Sequence, residues 1–379
     1  MACNVFPMSQ PQSRNTLIVE YPHTDFCMNR IPMRTLSRLA LAAAICAQAT
    51  VAWAQTVPPP SGFPPPGGGP PSGAPPGGGG FPSGPPPSGM PPDFPSPSGA
   101  TGSCAVVGPV LGATDFGLTA GQQVADVTSV LLPDGRVRLY AVAQGVGVVS
   151  AISLTAQGVS FAVEPGVRLP DGAGMPRAVP FAEGVRLFFT SENGIKSAVS
   201  SDGLTFTQEP GFRMTAAAAG FTNTPNAATS GATVVPLADG RYRMYFSDLA
   251  RPGGTPGGHL VKSAVSRDQL NWAIEDGVRL GAGAPAITES AEHPFALPNP
   301  DGSVTLFYGK NGNAGSSNRF GVYASTSADG LTFASETLAV AFANDSDALR
   351  LSDGSLVLYY GTFEPRGNGS GITVARCPY

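Results

Sequence analysis

Three ionisable side chains stand eight residues before copies of an acidic-Gly dipeptide: Asp126, His293 and Asp345. Glu292 directly precedes the histidine, and Asp347 follows Asp345 by two residues, a spacing that would place both carboxyls on one face of a strand. Carboxyl groups can act as general acid and general base when their surroundings hold one protonated and the other ionised. The chain therefore has groups suited to acid–base chemistry, provided that its fold brings them together.

Two further repeats lack such a group at the equivalent position. Met175 and Gly231 stand there, and Arg177 is the nearest polar residue in the second repeat. Carboxyl and imidazole groups are thus expected from the first, fourth and fifth repeats only.

The elements that would position these residues are five hairpins. Each acidic-Gly dipeptide lies between two apolar segments, and Gly supplies the positive φ of a tight turn at low steric cost. The dipeptides begin at Asp134, Glu183, Asp239, Asp301 and Asp353.

A second recurring element, Ser-x-Asp-Gly-Leu-Thr-Phe or a close variant, follows four of the hairpins. Its Ser and Asp can accept hydrogen bonds from turn amides, and its aromatic residue is expected to pack against the next strand. A further short apolar segment comes after it, so each unit is expected to hold about four antiparallel strands. The packing aromatics are Phe161, Phe206, Trp272 and Phe333.

The repeat spacing predicts an all-β fold, a five-bladed β-propeller. Successive dipeptides are 49, 56, 62 and 52 residues apart, and the fifth unit ends before a fourth strand. The segment that begins at Ser103 can supply that strand, so the N- and C-terminal strands would share the last blade and leave no open sheet edge. Cys104 and Cys377 would then lie on neighbouring strands and form a disulfide, with two free thiols as the alternative.

The N-terminal part predicts export. Basic residues and a short Ala-rich apolar run precede Ala54, where the pattern Ala-Trp-Ala is typical of signal-peptide cleavage. We therefore assign residues 1–54 to a non-mature N-terminus whose true start is Met33 or Met28, and expect a secreted or periplasmic protein. The apolar run is too short to span a bilayer, so the mature chain should have no integral membrane segment.

Residues 55–102 are predicted to be a disordered linker, and residues 103–379 the propeller. Between positions 57 and 100, 18 Pro and 12 Gly occupy 30 of 44 places, which leaves too few apolar groups to offset the entropy of ordering.

Charge excludes some partners. With 22 basic and 26 acidic residues, the net charge is −4, and no basic patch suited to nucleic acid is present. We expect a monomer that needs no cofactor and no metal ion.

The D-G-R-x-R-L-Y hairpins and S-x-D-G-L-T-F turns resemble the five-bladed propeller glycoside hydrolases of the arabinanase, xylosidase, levansucrase and invertase type, over about residues 104–377. That resemblance implies a site on the propeller axis with carboxylates from the first three blades. The chain departs from the pattern, because its second and third blades lack them.

Transferred to this sequence, the resemblance implies a catalytic set whose members come from three consecutive blades. Asp126 would be base or nucleophile, Glu292 the general acid and Asp345 the modulator of its neighbour's pKa. Arg177, His293 and Asp347 would bind the substrate.

Three functions remain open at this point. The protein could bind a carbohydrate or cell-surface glycan in an axial pocket without turnover, which we favour, or it could hydrolyse a glycoside. It could also be a scaffolding exoprotein whose axial acidic groups only satisfy strand ends or hold an axial water or cation.

His259, in a Gly/Pro-rich insertion, is expected on a loop surface. Insertions at 251–258 and 310–318 would favour a site if they rise at the end that carries Asp126 and Glu292.

Overall fold

The computed structural model describes residues 102–119, 121–221, 227–248, 259–310, 320–363 and 370–378. The predicted signal peptide and nearly all of the predicted linker lie outside the described residues, as do insertion 251–258 and residues 311–318 of the other.

The described chain begins with one strand, β1 (Ala105–Leu111), and a 3-10 helical turn (Ala113–Phe116). The first sheet follows and is antiparallel. Its strands are β2 (Val124–Leu131), β3 (Val137–Ala143), β4 (Gly147–Ser153) and β5 (Phe161–Pro170).

The next two sheets repeat this arrangement. The strands of the second are β6 (Gly174–Phe181), β7 (Gly184–Ser191), β8 (Gly194–Ser200), β9 (Thr207–Gln208) and β10 (Met214–Thr215). Those of the third are β11 (Thr229–Pro236), β12 (Tyr242–Asp248), β13 (Val261–Ser266) and β14 (Ala273–Ile274).

The fourth and fifth sheets complete the five. The strands of the fourth are β15 (Glu292–Pro298), β16 (Val304–Lys310), β17 (Gly321–Ser327) and β18 (Thr337–Ala341). Those of the fifth are β19 (Ala343–Arg350), β20 (Leu356–Phe363) and β21 (Ser370–Cys377), and β1 pairs with β21 at its outer edge.

The five sheets are the blades of a five-bladed β-propeller, as the repeat spacing predicts. Five clusters of buried apolar side chains fill the spaces between neighbouring sheets, including the space between the fifth and the first. Leu139 of β3 and Tyr359 of β20, for example, belong to one cluster although 220 positions separate them in the chain. Burial of these faces supplies the main driving force for the ring.

A disulfide joins Cys104 to Cys377, as predicted. Cys104 directly precedes β1 and Cys377 ends β21, and the register of these strands pairs Ala105 with Arg376. The covalent bond thus connects residues 273 positions apart.

The recurring turns connect each blade to the one before it. Tyr245 on β12 donates a hydrogen bond to the carbonyl of Gly330 at 2.8 Å, in the turn of the next blade, and Phe333 of that turn packs edge-on against the same tyrosine. Tyr140 and Gly203 repeat this hydrogen bond at 2.9 Å. The turn aromatics thus pack between blades, with Phe333 on Tyr245 and Phe206 on Tyr140 of the preceding blade, whereas the sequence analysis expected contact with the next strand.

Candidate functional site

Every innermost strand has a bulge at the same place, and one residue in each bulge has a left-handed backbone. These residues are Asp126, Met175, Gly231, His293 and Asp345, with φ between 47° and 63°. They are the positions eight residues before the acidic-Gly turns. A bulge redirects a side chain, and four of the five residues accept a conformation that favours glycine.

These bulges bring four blades into contact. The Nδ1 atom of His293 hydrogen-bonds Oδ1 of Asp345, and the Asp126 carboxyl lies close enough to Asp345 for each to shift the pKa of the other. The amide of Met175 donates to Oδ2 of Asp126 at 3.1 Å. We name Asp126, Glu292, His293 and Asp345 the axial cluster, and all four are at least nine-tenths buried.

Burial and neighbouring charges separate the pKa values of the cluster. Burial, and then the charge of Asp345, raise the pKa of Asp126 to about 6. Burial disfavours the charged forms of His293 and Asp345 too, but their mutual attraction outweighs it. The pKa of His293 rises to about 9 and that of Asp345 is lowered. At about pH 6 the cluster therefore contains an imidazolium, a carboxylate and a carboxyl at its titration midpoint.

Asp347 does not face the same way as Asp345, contrary to the two-residue alternation expected from the sequence. The bulge between Asn344 and Asp347 breaks that alternation. Asp347 is fully buried and accepts hydrogen bonds from Thr128 Oγ1 at 2.7 Å and from Ser129 Oγ. Burial raises its pKa to about 6. Its observed contacts join the fifth blade to the first.

Arg177 is also buried, with 1% of its surface exposed. Its Nη1 donates to the carbonyl oxygens of Val127 at 3.0 Å and Pro176 at 3.2 Å. Its charge lowers the pKa values of Asp126, Asp345 and Asp347, and in each case burial has the larger, opposite effect. The guanidinium thus offsets buried negative charge beneath the axial cluster.

Glu292 contacts a histidine that the sequence analysis assigned to a loop surface. His259 Nε2 lies 3.4 Å from Glu292 Oε2, and its Nδ1 lies 3.6 Å from Asp248 Oδ1. Burial disfavours the imidazolium, but the two carboxylates outweigh it and raise the pKa of His259. The expectation for His259 was wrong because β12 ends beside the axial end of β11, where Thr229 pairs with Asp248. His259 therefore lies beside the axial cluster, through its contact with Glu292.

The two long insertions begin and end at the same end of the propeller. Asp248 and His259 flank one, and both are close to Glu292 or its partner. At the other insertion, Lys310 directly follows Gly309, which pairs with Glu292. Lys310 itself pairs with Gly321, the residue after Phe320. Both insertions are thus attached at the end of the propeller that carries Asp126 and Glu292, which the sequence analysis gave as the condition that favours a site.

The cluster places a carboxyl with a raised pKa beside an ion pair, so it presents both hydrogen-bond donors and acceptors. A glycosidase needs carboxyls about 5 Å or about 6.5–9.5 Å apart, on opposite sides of the bond. Asp126 and Asp345 shift each other's pKa, so the two carboxyls titrate as a unit. Glu292 is the remaining carboxyl of the cluster.

Within the described ranges, no three His, Cys, Asp or Glu side chains are grouped as a metal site would require. The same part of the chain has no helix long and apolar enough to cross a membrane.

Comparisons with known proteins identify the fold. No family model and no curated protein matches the sequence. Among solved structures, the chain is similar to a thermostable family-43 glycoside hydrolase, with a TM-score of 0.51, 14% identity, and coverage of 67% of this chain and 89% of the other.

Two structures from Bacteroides thetaiotaomicron are similar to the same degree. An endo-arabinase matches with a TM-score of 0.52 and 12% identity, covering 68% of this chain and 95% of that one. An endo-1,4-beta-xylanase matches with a TM-score of 0.51 and 14% identity, covering 68% and 92%. Identities this low carry no information on activity, so what the chain shares with these glycoside hydrolases is their fold, the five-bladed β-propeller.

Proposed function

We propose that this protein is an exported carbohydrate-binding propeller whose site is the axial cluster. The observation that carries the proposal is the convergence of Asp126, His293 and Asp345 from three blades at one end of the axis. Sugar hydroxyls both donate and accept hydrogen bonds, and a partly protonated carboxyl pair beside an imidazolium offers both functions.

Three further observations support the proposal. The fold is shared with enzymes that are named for arabinan and xylan hydrolysis. Binding and catalytic residues concentrate where loops gather on a rigid scaffold, and two insertions attach at this end of the propeller. The disulfide fits an oxidising compartment, which agrees with a signal peptide cleaved after Ala54 and a secreted or periplasmic propeller on a Pro/Gly-rich linker.

Calorimetric titration with soluble oligosaccharides of glucose, xylose, arabinose and galactose tests the binding proposal. The wild type should bind at least one, and Asp126→Asn should weaken that binding at least tenfold. Asp239→Asn is the matched control, because Asp239 is an exposed turn residue paired with Arg241 at the hairpin end of its blade. Failure of the wild type to bind any of them, or equal effects of the two variants, would contradict the proposal.

Hydrolysis is the second candidate, and the pKa of Asp126 favours it. A carboxyl with a pKa of about 6, next to a carboxylate that alters that pKa, matches the base and modulator roles expected for Asp126 and Asp345. Glu292 would then protonate the leaving group. Aryl glycosides of the same four sugars would test turnover, which Glu292→Gln should abolish while binding is retained and Asp126→Asn should abolish as well.

A further inference from the structure

Phe342 lies at the end of the propeller that carries the axial cluster. It is the single residue between Ala341, which ends β18, and Ala343, which begins β19. Three positions separate it from Asp345, so the two Cα atoms are at most about 10 Å apart. That distance is within reach of a disaccharide bound at the cluster.

The backbone of Phe342 is strained. Its φ is 56°, and a bulky aromatic residue in this left-handed region is a rare, strained outlier. The equivalent position in the second blade, three residues before Met175, is Gly172 with φ 92°. The chain thus has phenylalanine where another junction between blades uses glycine, which takes the conformation without strain.

Burial does not compensate for this strain. Phe342 keeps 37% of its surface exposed, and its amide donates to the carbonyl of Phe320 at 3.1 Å, a bond that any residue except proline could make. The two rings lie beside each other, with centroids 6.3 Å apart and planes at 52°. The pair presents an exposed apolar surface next to a charged cluster.

We propose that Phe342, supported by Phe320, is a stacking platform for a pyranose ring of the oligosaccharide whose hydroxyls the axial cluster binds. The proposal rests on the carbohydrate-binding function above. A β-linked glucose or xylose unit has a flat face of C–H groups, which packs on an aromatic ring, while its equatorial hydroxyls point outward. The platform selects such sugars because the cluster alone provides only polar contacts.

The decisive variant is Phe342→Gly, tested by calorimetric titration with cellohexaose and xylohexaose. Removal of the strain should leave the melting temperature equal or higher, while affinity for the hexaose falls at least tenfold. Phe342→Asn also removes the ring and tolerates positive φ, and Phe342→Trp should keep the binding. Phe212→Ala is the matched control, since Phe212 is 40% exposed but lies by the outer strand β10, so binding should be unchanged.

The outcomes separate the two proposals. If Phe342→Gly and Phe342→Asn bind as the wild type does while Asp126→Asn does not, the platform is overturned and the axial site stands. If both variants melt well below the wild type, Phe342 is a structural residue, and the platform is again overturned. If the wild type binds neither hexaose but binds another oligosaccharide, the pyranose assignment fails. If the wild type binds no sugar, both proposals fail.

Discussion

His293 and Asp345, on the neighbouring inner strands β15 and β19, form an ion pair that keeps each in its charged form despite burial. Both have left-handed backbones at equivalent bulges, which turn their side chains towards each other across the blade boundary. After burial, the two members of the pair are the next largest influences on the pKa of Asp126, which Asp345 raises and His293 lowers.

Asp345→Asn should lower the pKa of His293 from about 9 towards its ordinary value of 6.5, since the first of the attractions that oppose burial is removed. In the wild type, the raised pKa gives stability that is complete below pH 6.5 and is lost as pH rises through about 9. The variant should lose this dependence. An NMR titration of the imidazole resonances measures the pKa directly, and a midpoint still near 9 would refute the assignment. Asp353→Asn, at an exposed hairpin turn, serves as control.

Asp347→Asn should flatten the pH dependence of unfolding in acid. The pKa of Asp347 is raised from 3.8 to about 6, so the folded protein favours its protonated form. The contribution of the Asp347 carboxyl to the free energy of unfolding is complete below pH 3.8. It is lost as pH rises through about 6, by up to about 3 kcal/mol.

Urea unfolding from about pH 4 to about pH 8 measures this effect. The wild type should lose free energy of unfolding as pH rises through this window, and the variant should lose less. Some dependence will remain because the pKa values of Asp126 and His293 are raised too, so their stabilising contributions also fall as pH rises. Identical slopes for both proteins would contradict the prediction.

Tyr245→Phe should lower the free energy of unfolding by about 1–2 kcal/mol, because the buried carbonyl of Gly330 loses its donor. Gly330→Ala should also destabilise, since its φ is 67° and a Cβ would lie 2.6 Å from the tyrosine hydroxyl. The double variant should cost less than the two single costs combined, because loss of that hydroxyl removes one of the two close contacts of the methyl group and leaves the one with Arg243 Nη1. The second blade supports this coupling. Phe188 on β7 is equivalent to Tyr245 but has no hydroxyl, and the turn that it faces has Gln269 at the position equivalent to Gly330. Additive costs would show that the two sites are independent.

Cys104→Ser with Cys377→Ser should destabilise the propeller by roughly 4–5 kcal/mol. The disulfide joins residues 273 positions apart, and the entropy that it removes from the unfolded chain grows with loop length. Urea unfolding of the oxidised wild type, the reduced wild type and the double variant measures this cost. The last two should agree, and equal stability of all three would contradict the prediction.

The sequence by itself predicts the blades, because the signals that form them are local. A Gly that must have positive φ, the alternation of apolar residues on both sides of it, and a Ser-x-Asp turn each act within about ten residues and recur from blade to blade. The same regularity identifies the equivalent positions of Asp126, His293 and Asp345, and the disulfide is predicted because Cys104 and Cys377 are the two cysteines that follow the predicted signal peptide.

Only the tertiary structure decides what those positions contact. The bulges interrupt the strand alternation, so Asp347 turns to Thr128 and Ser129 while Asp345 turns to His293. His259 reaches Glu292 only because neighbouring blades are packed together. Backbone strain and pKa shifts depend on burial and on charges from distant parts of the chain, and no local pattern in the sequence encodes either.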